Sequence, residues 1–131
     1  MIFVDTSAWY ALSLVRDVNH HDANCLLASV KEPLVTSDYV VDETLTLLRS
    51  RGESQRALKF GQKVIDGGFA AIVTISEADF ADAWQIFRRF ADKGWSFTDC
   101  TSRVLMERLR IQKAFAFDDH FRQFGMVTVV P

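Results

Sequence analysis

The chain opens Met1-Ile2-Phe3-Val4-Asp5-Thr6-Ser7, and this stretch decides the fold. Apolar residues run directly into a carboxylate and two hydroxyls. A continuous apolar run this short reads as a strand buried on both faces, the mark of a parallel sheet covered by helices. Ligands of such sheets bind beyond the carboxyl ends of the strands, which places Asp5 at that edge. Asp also caps helices, and Asp-Thr-Ser before an apolar helical pattern is ordinary start chemistry. One acid does not choose between the two roles; acids at equivalent strand ends do.

Working outward, helical and extended patterns alternate. Residues 7–14 read as a short helix. Asn19 is positioned to cap a second, 20–30, with Ala23, Leu26, Leu27 and Val30 as its buried stripe. Its His20-His21-Asp22 start reads as a polar first turn rather than a ligand set. Pro33 precedes a strand at 34–36, and Ser37 or Asp38 caps a helix from Tyr39 to Arg51 with Val40, Thr44, Leu47 and Leu48 on one face. Glu43 lies close to that apolar face, where a carboxylate is costly unless paired or metal-bound. Ser54 is the expected cap of the next helix, 55–66, with Leu58, Val64 and Ile65 buried. A third strand at 71–75 leads to Ser76-Glu77-Ala78-Asp79, a capping-box pattern with Asp where Glu is usual. The helix after it carries Phe80, Ala83, Trp84, Phe87, Phe90 and Ala91 at helical spacing, expected as core or as a protein interface. Thr98 reads as the cap of a helix running to about Arg110, with Asp99 in its first turn. Residues 113–117 form a fourth strand that ends in Asp118-Asp119-His120-Phe121, and 127–130 a last one. Strands alternating with helices predict a three-layer α/β/α fold with a mainly parallel sheet. Right-handed crossovers then bring the ends of the first and fourth strands to one edge.

Composition bounds the class. The chain has 131 residues, 49% of them hydrophobic, with 11 Phe and 3 Trp, enough for one well-filled domain spanning 1–131. A formal charge of −2 advertises no polyanion partner but allows a local basic rim. Arg49, Arg51, Arg56, Lys59 and Lys63 gather along the third and fourth helices, either as phosphate contacts or as a solvated face. Cys25 and Cys100 fit neither a disulfide framework nor a zinc pattern and read as small core residues. No basic segment precedes the opening apolar run, so no signal peptide is expected, and no apolar stretch reaches membrane-spanning length. A cytoplasmic setting follows as the expectation.

Asp5 and Asp118 thus follow strands, Asp99 starts a helix, and Glu43 lies on a helix that begins just after a strand. If they converge, their repulsion is relieved only by protonation or by a divalent cation. Oxygen-only ligands favour Mg²⁺, or Mn²⁺, over zinc. Such an ion suits phosphodiester hydrolysis.

At this point the chain resembles a known family: the PIN-domain ribonucleases, and among them the VapC-type toxins of toxin–antitoxin pairs. The resemblance rests on Val4-Asp5-Thr6-Ser7-Ala8, on Glu43-Thr44-Leu45-Thr46-Leu47-Leu48, on Trp95-Ser96-Phe97-Thr98-Asp99-Cys100 and on Ala116-Phe117-Asp118-Asp119-His120-Phe121. It implies an acidic quartet of Asp5, Glu43, Asp99 and Asp118, with Asp5 and Asp99 as the most direct metal ligands. It also implies supporting hydroxyls at Thr6, Ser7 and Thr98. Relatives commonly carry Arg after the fourth acid; this chain has Asp119, which adds negative charge there. His120 is expected as a structural hydrogen-bonding residue. The implied activity is metal-dependent cleavage of RNA without a covalent enzyme intermediate, with Arg49, Arg51, Arg103 and Arg108 as candidates to hold the backbone. The implied partners are RNA, a cognate antitoxin and a second copy in a homodimer. Two other readings carry different expectations. Among other phosphoryl-transfer α/β domains, an aspartate-nucleophile phosphatase wants a second Asp two residues after the first, where Ser7 stands. A phosphoryl-accepting receiver domain wants an acidic pair soon after the first strand and a Lys ending a late one, where Leu12-Ser13 and Phe117-Asp118 stand. A catalytically inactive binding module has no use for four costly carboxylates.

Overall fold

The computed structural model describes every residue from Met1 to Pro131. Its centre is a five-stranded sheet in which every neighbouring pair is parallel. In chain order the elements are β1 (Ile2–Val4), α1 (Thr6–Ser13), α2 (His20–Ser29), β2 (Leu34–Ser37), α3 (Asp38–Ser50), α4 (Ser54–Gly61), β3 (Ala71–Val73), α5 (Glu77–Arg89), α6 (Phe97–Leu109), β4 (Lys113–Phe115) and β5 (Thr128–Val130). The strand order is β3-β2-β1-β4-β5. The chain winds outward from β1 in one direction through β2 and β3, then returns to the other side of β1 for β4 and β5. The reversal point lies between β1 and β4, where open α/β sheets bind ligands.

The core follows from the apolar strands. Ile2, Phe3, Val4, Ala114 and Phe115 are all essentially inaccessible. Register sets Ile2 opposite Leu34 on one side and Lys113 on the other, so β1 is central and its end is flanked by protein. The Asp5 N–H still donates to Phe115 O at 3.0 Å, which carries the β1–β4 ladder one residue past the strand. β3, β4 and β5 each span three residues, shorter than the sequence runs that predict them.

Several local expectations change. Ser96, not Thr98, caps α6: its hydroxyl accepts from the Asp99 N–H while Asp99 returns a bond to the Ser96 N–H. Ser37 caps α3, as one of two expected residues. Asn19 and Ser54 cap nothing; α2 has no side-chain cap, and α4 begins after Glu53 without one. α4 also ends early, continuing as one π-helical turn over Gln62–Asp66. Val64 in that turn is buried, but Leu58 within α4 and Ile65 within the turn are half exposed. In α2 only Ala23 is buried; Leu26, Leu27 and Val30 are partly covered. Cys25 is exposed, not core, whereas Cys100 is buried. On α5 only Ala83 of the stripe is fully buried; Phe80, Trp84 and Phe87 remain 39–49% exposed. Gly94, at φ +69°, turns the chain from α5 toward α6.

Candidate metal-binding active site

Asp5 sits immediately beyond β1, and the helix it starts explains its posture. Its Oδ2 accepts the Ser7 N–H at 3.1 Å and the Ser7 hydroxyl at 2.7 Å. Both readings of its sequence position therefore hold at once: it caps α1 and stands at the strand end. Ser7 Oγ also accepts the Phe117 N–H at 3.0 Å, which ties the ends of β1 and β4 together. The other oxygen, Asp5 Oδ1, is buried with no hydrogen-bond partner, as is the neighbouring Thr6 Oγ1. The residue is 3% exposed. Burial raises its pKa from 3.8 to about 7; the Ser7 bonds oppose this, and the charges of Asp99 and Glu43 add to it.

Asp99, at 5% exposure, is fixed by the start of α6. Its Oδ2 accepts the Ser96 N–H at 3.0 Å and lies 2.7 Å from His120 Nδ1. His120 stands on a 3₁₀ turn, Asp119–Phe124, that follows β4. The same Nδ1 is 3.4 Å from Asp118 Oδ1, so one imidazole edge faces two carboxylates. Burial alone would lower the His120 pKa. The Asp99 bond and the charges of Asp118, Asp99 and Asp5 outweigh it, and the imidazolium is favoured.

Glu43 is half-buried one turn into α3. Burial raises its pKa, and the fields of Asp99 and Asp118 push the same way. The Thr6 and Thr98 hydroxyls favour its charged form. Neither hydroxyl makes a well-formed bond there, since Thr6 Oγ1 is unpartnered. Asp118, with 40% of its side chain exposed, lies toward the rim and caps the 3₁₀ turn by accepting the His120 N–H at 2.9 Å. Asp119 is different: its side chain is 88% exposed and faces only Arg122, at 3.8 Å. The four acids thus lie within one another's fields, Asp5 and Asp99 deep, Glu43 between and Asp118 outermost. They do not form a closed ligand shell, because no three His, Cys, Asp or Glu groups stand at metal-holding distance.

The basic residues divide. Arg108 donates from Nε and Nη2 to both oxygens of buried Asp79, at 2.9 and 2.8 Å. Arg103 lies over the rings of Phe90, Trp95 and Phe124. Arg51 donates to the Tyr10 hydroxyl at 3.1 Å, and Arg49 is exposed with no ion pair. Arg56, Lys59 and Lys63 line a cavity of about 220 Å³ walled by Trp9, Phe60 and Phe69, away from the acids. His120 is the structural hydrogen-bonding residue expected, but its bond to Asp99 spans 21 residues and leaves no local pattern in the sequence.

The comparisons bear on the family and the fold. The PIN domain pattern matches residues 2–126. The chain is 38% identical over 132 residues to the 23S rRNA-specific endonuclease VapC20 of Mycobacterium tuberculosis, covering 100% of this chain and 99% of that one. It is 28% identical over 123 residues to a VapC ribonuclease of Archaeoglobus fulgidus, covering 90% of this chain and 77% of the relative. The crystal structure of Mycobacterium tuberculosis VapC20, described as a sarcin–ricin loop cleaving toxin, superposes with a TM-score of 0.93 at 34% identity over the whole of both chains. A family pattern over nearly the entire sequence, a like relative at full length and a matching fold lead to one conclusion: the chain belongs to the PIN-domain family, among the ribonucleases of the VapC kind.

Proposed function

We propose that this chain hydrolyses RNA phosphodiester bonds with a divalent cation, Mg²⁺ or in its place Mn²⁺. Asp5 and Asp99 hold the ion directly, and Glu43 and Asp118 hold it directly or through water. The observation that carries the reading is Asp5, a carboxylate 3% exposed at the sheet's reversal point. One of its oxygens is tied to Ser7 and the other has no partner. A buried anion left half unsatisfied costs several kcal/mol as an order of magnitude, and a cation removes that cost. PIN-domain nucleases of the VapC kind are metal-dependent as a class. Mg²⁺ keeps several waters and binds through one or two carboxylates plus substrate phosphate, so Asp5 and Asp99 suffice without a closed three-ligand group.

When bound, the ion supplies positive charge to the phosphodiester oxygens and acidifies water. The protein supplies the rest. Ser7 holds Asp5 by its Oδ2, and Ser96 with His120 holds Asp99 by its Oδ2. Glu43, whose pKa is raised chiefly by burial, is suited to take the proton of the attacking water as its oxygen bonds to phosphorus and the bond to the leaving ribose oxygen breaks, that oxygen taking a proton from solvent. Thr6 and Thr98 are assigned to orient the ligands of the ion or the substrate. Asp119 faces solvent beside Arg122 and adds its charge at the rim.

For the substrate class we take structured ribosomal RNA. The relative that resembles this chain at full length is named as 23S rRNA-specific, and its structure as sarcin–ricin loop cleaving. A cognate antitoxin and a second copy are the expected partners, and the exposed aromatic face of α5 is one apolar surface open to either. The test is cleavage of an oligonucleotide carrying the sarcin–ricin loop beside a scrambled control, with Mg²⁺, Mn²⁺ or EDTA. Site-specific cutting that EDTA stops, Mg²⁺ restores and Asp99→Asn abolishes is expected. Equal cutting in EDTA, or by Asp99→Asn, refutes the reading.

A further inference from the structure

Asp5 and Asp99 share an arrangement. Both hydrogen bonds to the Asp5 side chain fall on Oδ2, at 3.1 and 2.7 Å. Both bonds to Asp99 also fall on Oδ2, at 3.0 Å from the Ser96 N–H and 2.7 Å from His120 Nδ1. A second aspartate offers an internal comparison. Asp79 starts α5 with the same capping box, formed with Ser76. There Arg108 occupies both carboxylate oxygens, at 2.9 and 2.8 Å. A structural capping aspartate in this fold is thus saturated, whereas Asp99 carries its extra donor on the oxygen already used and leaves Oδ1 without one. The His120 bond is not required for capping, since the Ser96 pair alone completes the box.

The donor role of Nδ1 follows from chemistry, because a carboxylate oxygen can only accept. The turn that presents His120 is held independently of the ring. Phe121 is fully buried, with its ring 6.2 Å from that of Phe3, and Phe124 packs beside it at 4.8 Å.

We infer that His120 is a positioning residue that confines a divalent ion to one oxygen of Asp99 and so selects Mg²⁺ and Mn²⁺ over Ca²⁺. The inference rests on the metal-site reading above. Mg²⁺ demands a compact octahedral shell, whereas Ca²⁺ takes more oxygens and favours bidentate carboxylates. Locking Oδ2 to an imidazole N–H removes the bidentate option. Without His120, Oδ2 keeps the Ser96 N–H but has a lone pair open to the ion, so Asp99 can offer both oxygens.

The test uses the metal-free full chain with Mn²⁺ as the probe, followed by electron paramagnetic resonance, and Mg²⁺ and Ca²⁺ as competitors. His120→Asn keeps an amide N–H at the position of Nδ1, whereas His120→Gln places it one bond farther and His120→Ala removes it. Loss of such an outer partner commonly weakens metal binding about 10–100-fold. Mg²⁺ and Mn²⁺ are therefore expected to bind about 10–100-fold more weakly to the Ala and Gln variants. Ca²⁺ should lose far less, so the Ca²⁺-to-Mg²⁺ ratio of Kd falls about tenfold, while the Asn variant keeps the wild-type ratio. A ratio unchanged in the Ala and Gln variants overturns the inference. So does an Asn variant that behaves like them, which would make the role merely structural. If the Ala variant does not fold, the Asn–Gln pair carries the comparison. A wild-type chain that takes up neither Mn²⁺ nor Mg²⁺ overturns the metal-site reading itself, and this inference with it.

Discussion

Burial sets the Asp5 carboxyl at about pKa 7, against 3.8 in the unfolded chain. The metal-free fold therefore binds this proton more tightly than the unfolded chain does. The stability this contributes is present in full below about pH 4 and drains away as pH rises through about 7. The span corresponds to a penalty on the order of 4 kcal/mol for carrying the charge unpaired at alkaline pH. Urea unfolding in EDTA is thus expected to show stability falling between pH 4 and 7, with added Mg²⁺ restoring part of it. Asp5→Asn, which keeps an oxygen for Ser7 but no charge, should be more stable than wild type in EDTA at pH 8 by about 2–4 kcal/mol. Equal stability of the two at pH 8 contradicts an unpaired buried charge. At this scale the sequence was partly legible. An acid after an apolar strand marks Asp5 without structure, but Thr98 and Ser96 are both plausible caps by local chemistry. Only the backbone path after Gly94 decides for Ser96. His120 could not be read as a partner of Asp99, since a contact across 21 residues leaves no local pattern.

The elements work as carriers of these groups. The 3₁₀ turn after β4 brings Asp118 and His120 to the site, and Phe121 anchors it against Phe3. Phe121→Ala removes a fully buried ring and is expected to destabilise the chain by about 3–5 kcal/mol, read by urea or thermal unfolding. Mn²⁺ affinity should fall with it, because the turn loses its anchor; an unchanged affinity in the folded variant would detach the turn from the site. α5 and α6 are clamped by Arg108 on Asp79, whose carboxyl pKa is lowered: burial opposes this, but the Arg108 bonds and charge, with those of Ser76, outweigh it. Arg108 is 45% exposed, so solvent screens the pair, and Arg108→Ala should cost about 1–2 kcal/mol while leaving metal affinity intact. If Arg108 instead holds RNA, its replacement weakens RNA binding at full stability. Helix periodicity found the bodies of these elements, because each buries a stripe. Their ends were less legible. Leu58 in α4 and Ile65 in the π turn after it stay half exposed, although both fit a helical apolar pattern in the sequence.

Across the whole molecule, strand order does what no single element can. Running β1 between β2 and β4 places residues far apart in sequence at one reversal point. The alternation of apolar runs and helical stripes made the parallel sheet readable from sequence. The fate of the α5 aromatics was not readable, since Phe80, Trp84 and Phe87 repeat with core spacing yet stay 39–49% exposed. Their rings form a connected row with Phe97, at 5.0, 6.1 and 5.9 Å between successive centroids. A row of that kind exposed on a monomer marks a contact surface. Trp84→Glu is expected to convert a homodimer to monomer in light scattering, with metal affinity retained; a wild-type monomer at high concentration, or a dimer untouched by the variant, removes the homodimer from this account.

The most direct measurement is a crystal of the chain soaked in Mn²⁺ and recorded at the manganese edge. An anomalous peak bound by one oxygen each of Asp5 and Asp99, with Glu43 and Asp118 around it, is the expected result. No peak between those carboxylates, or one seated elsewhere on the chain, contradicts it.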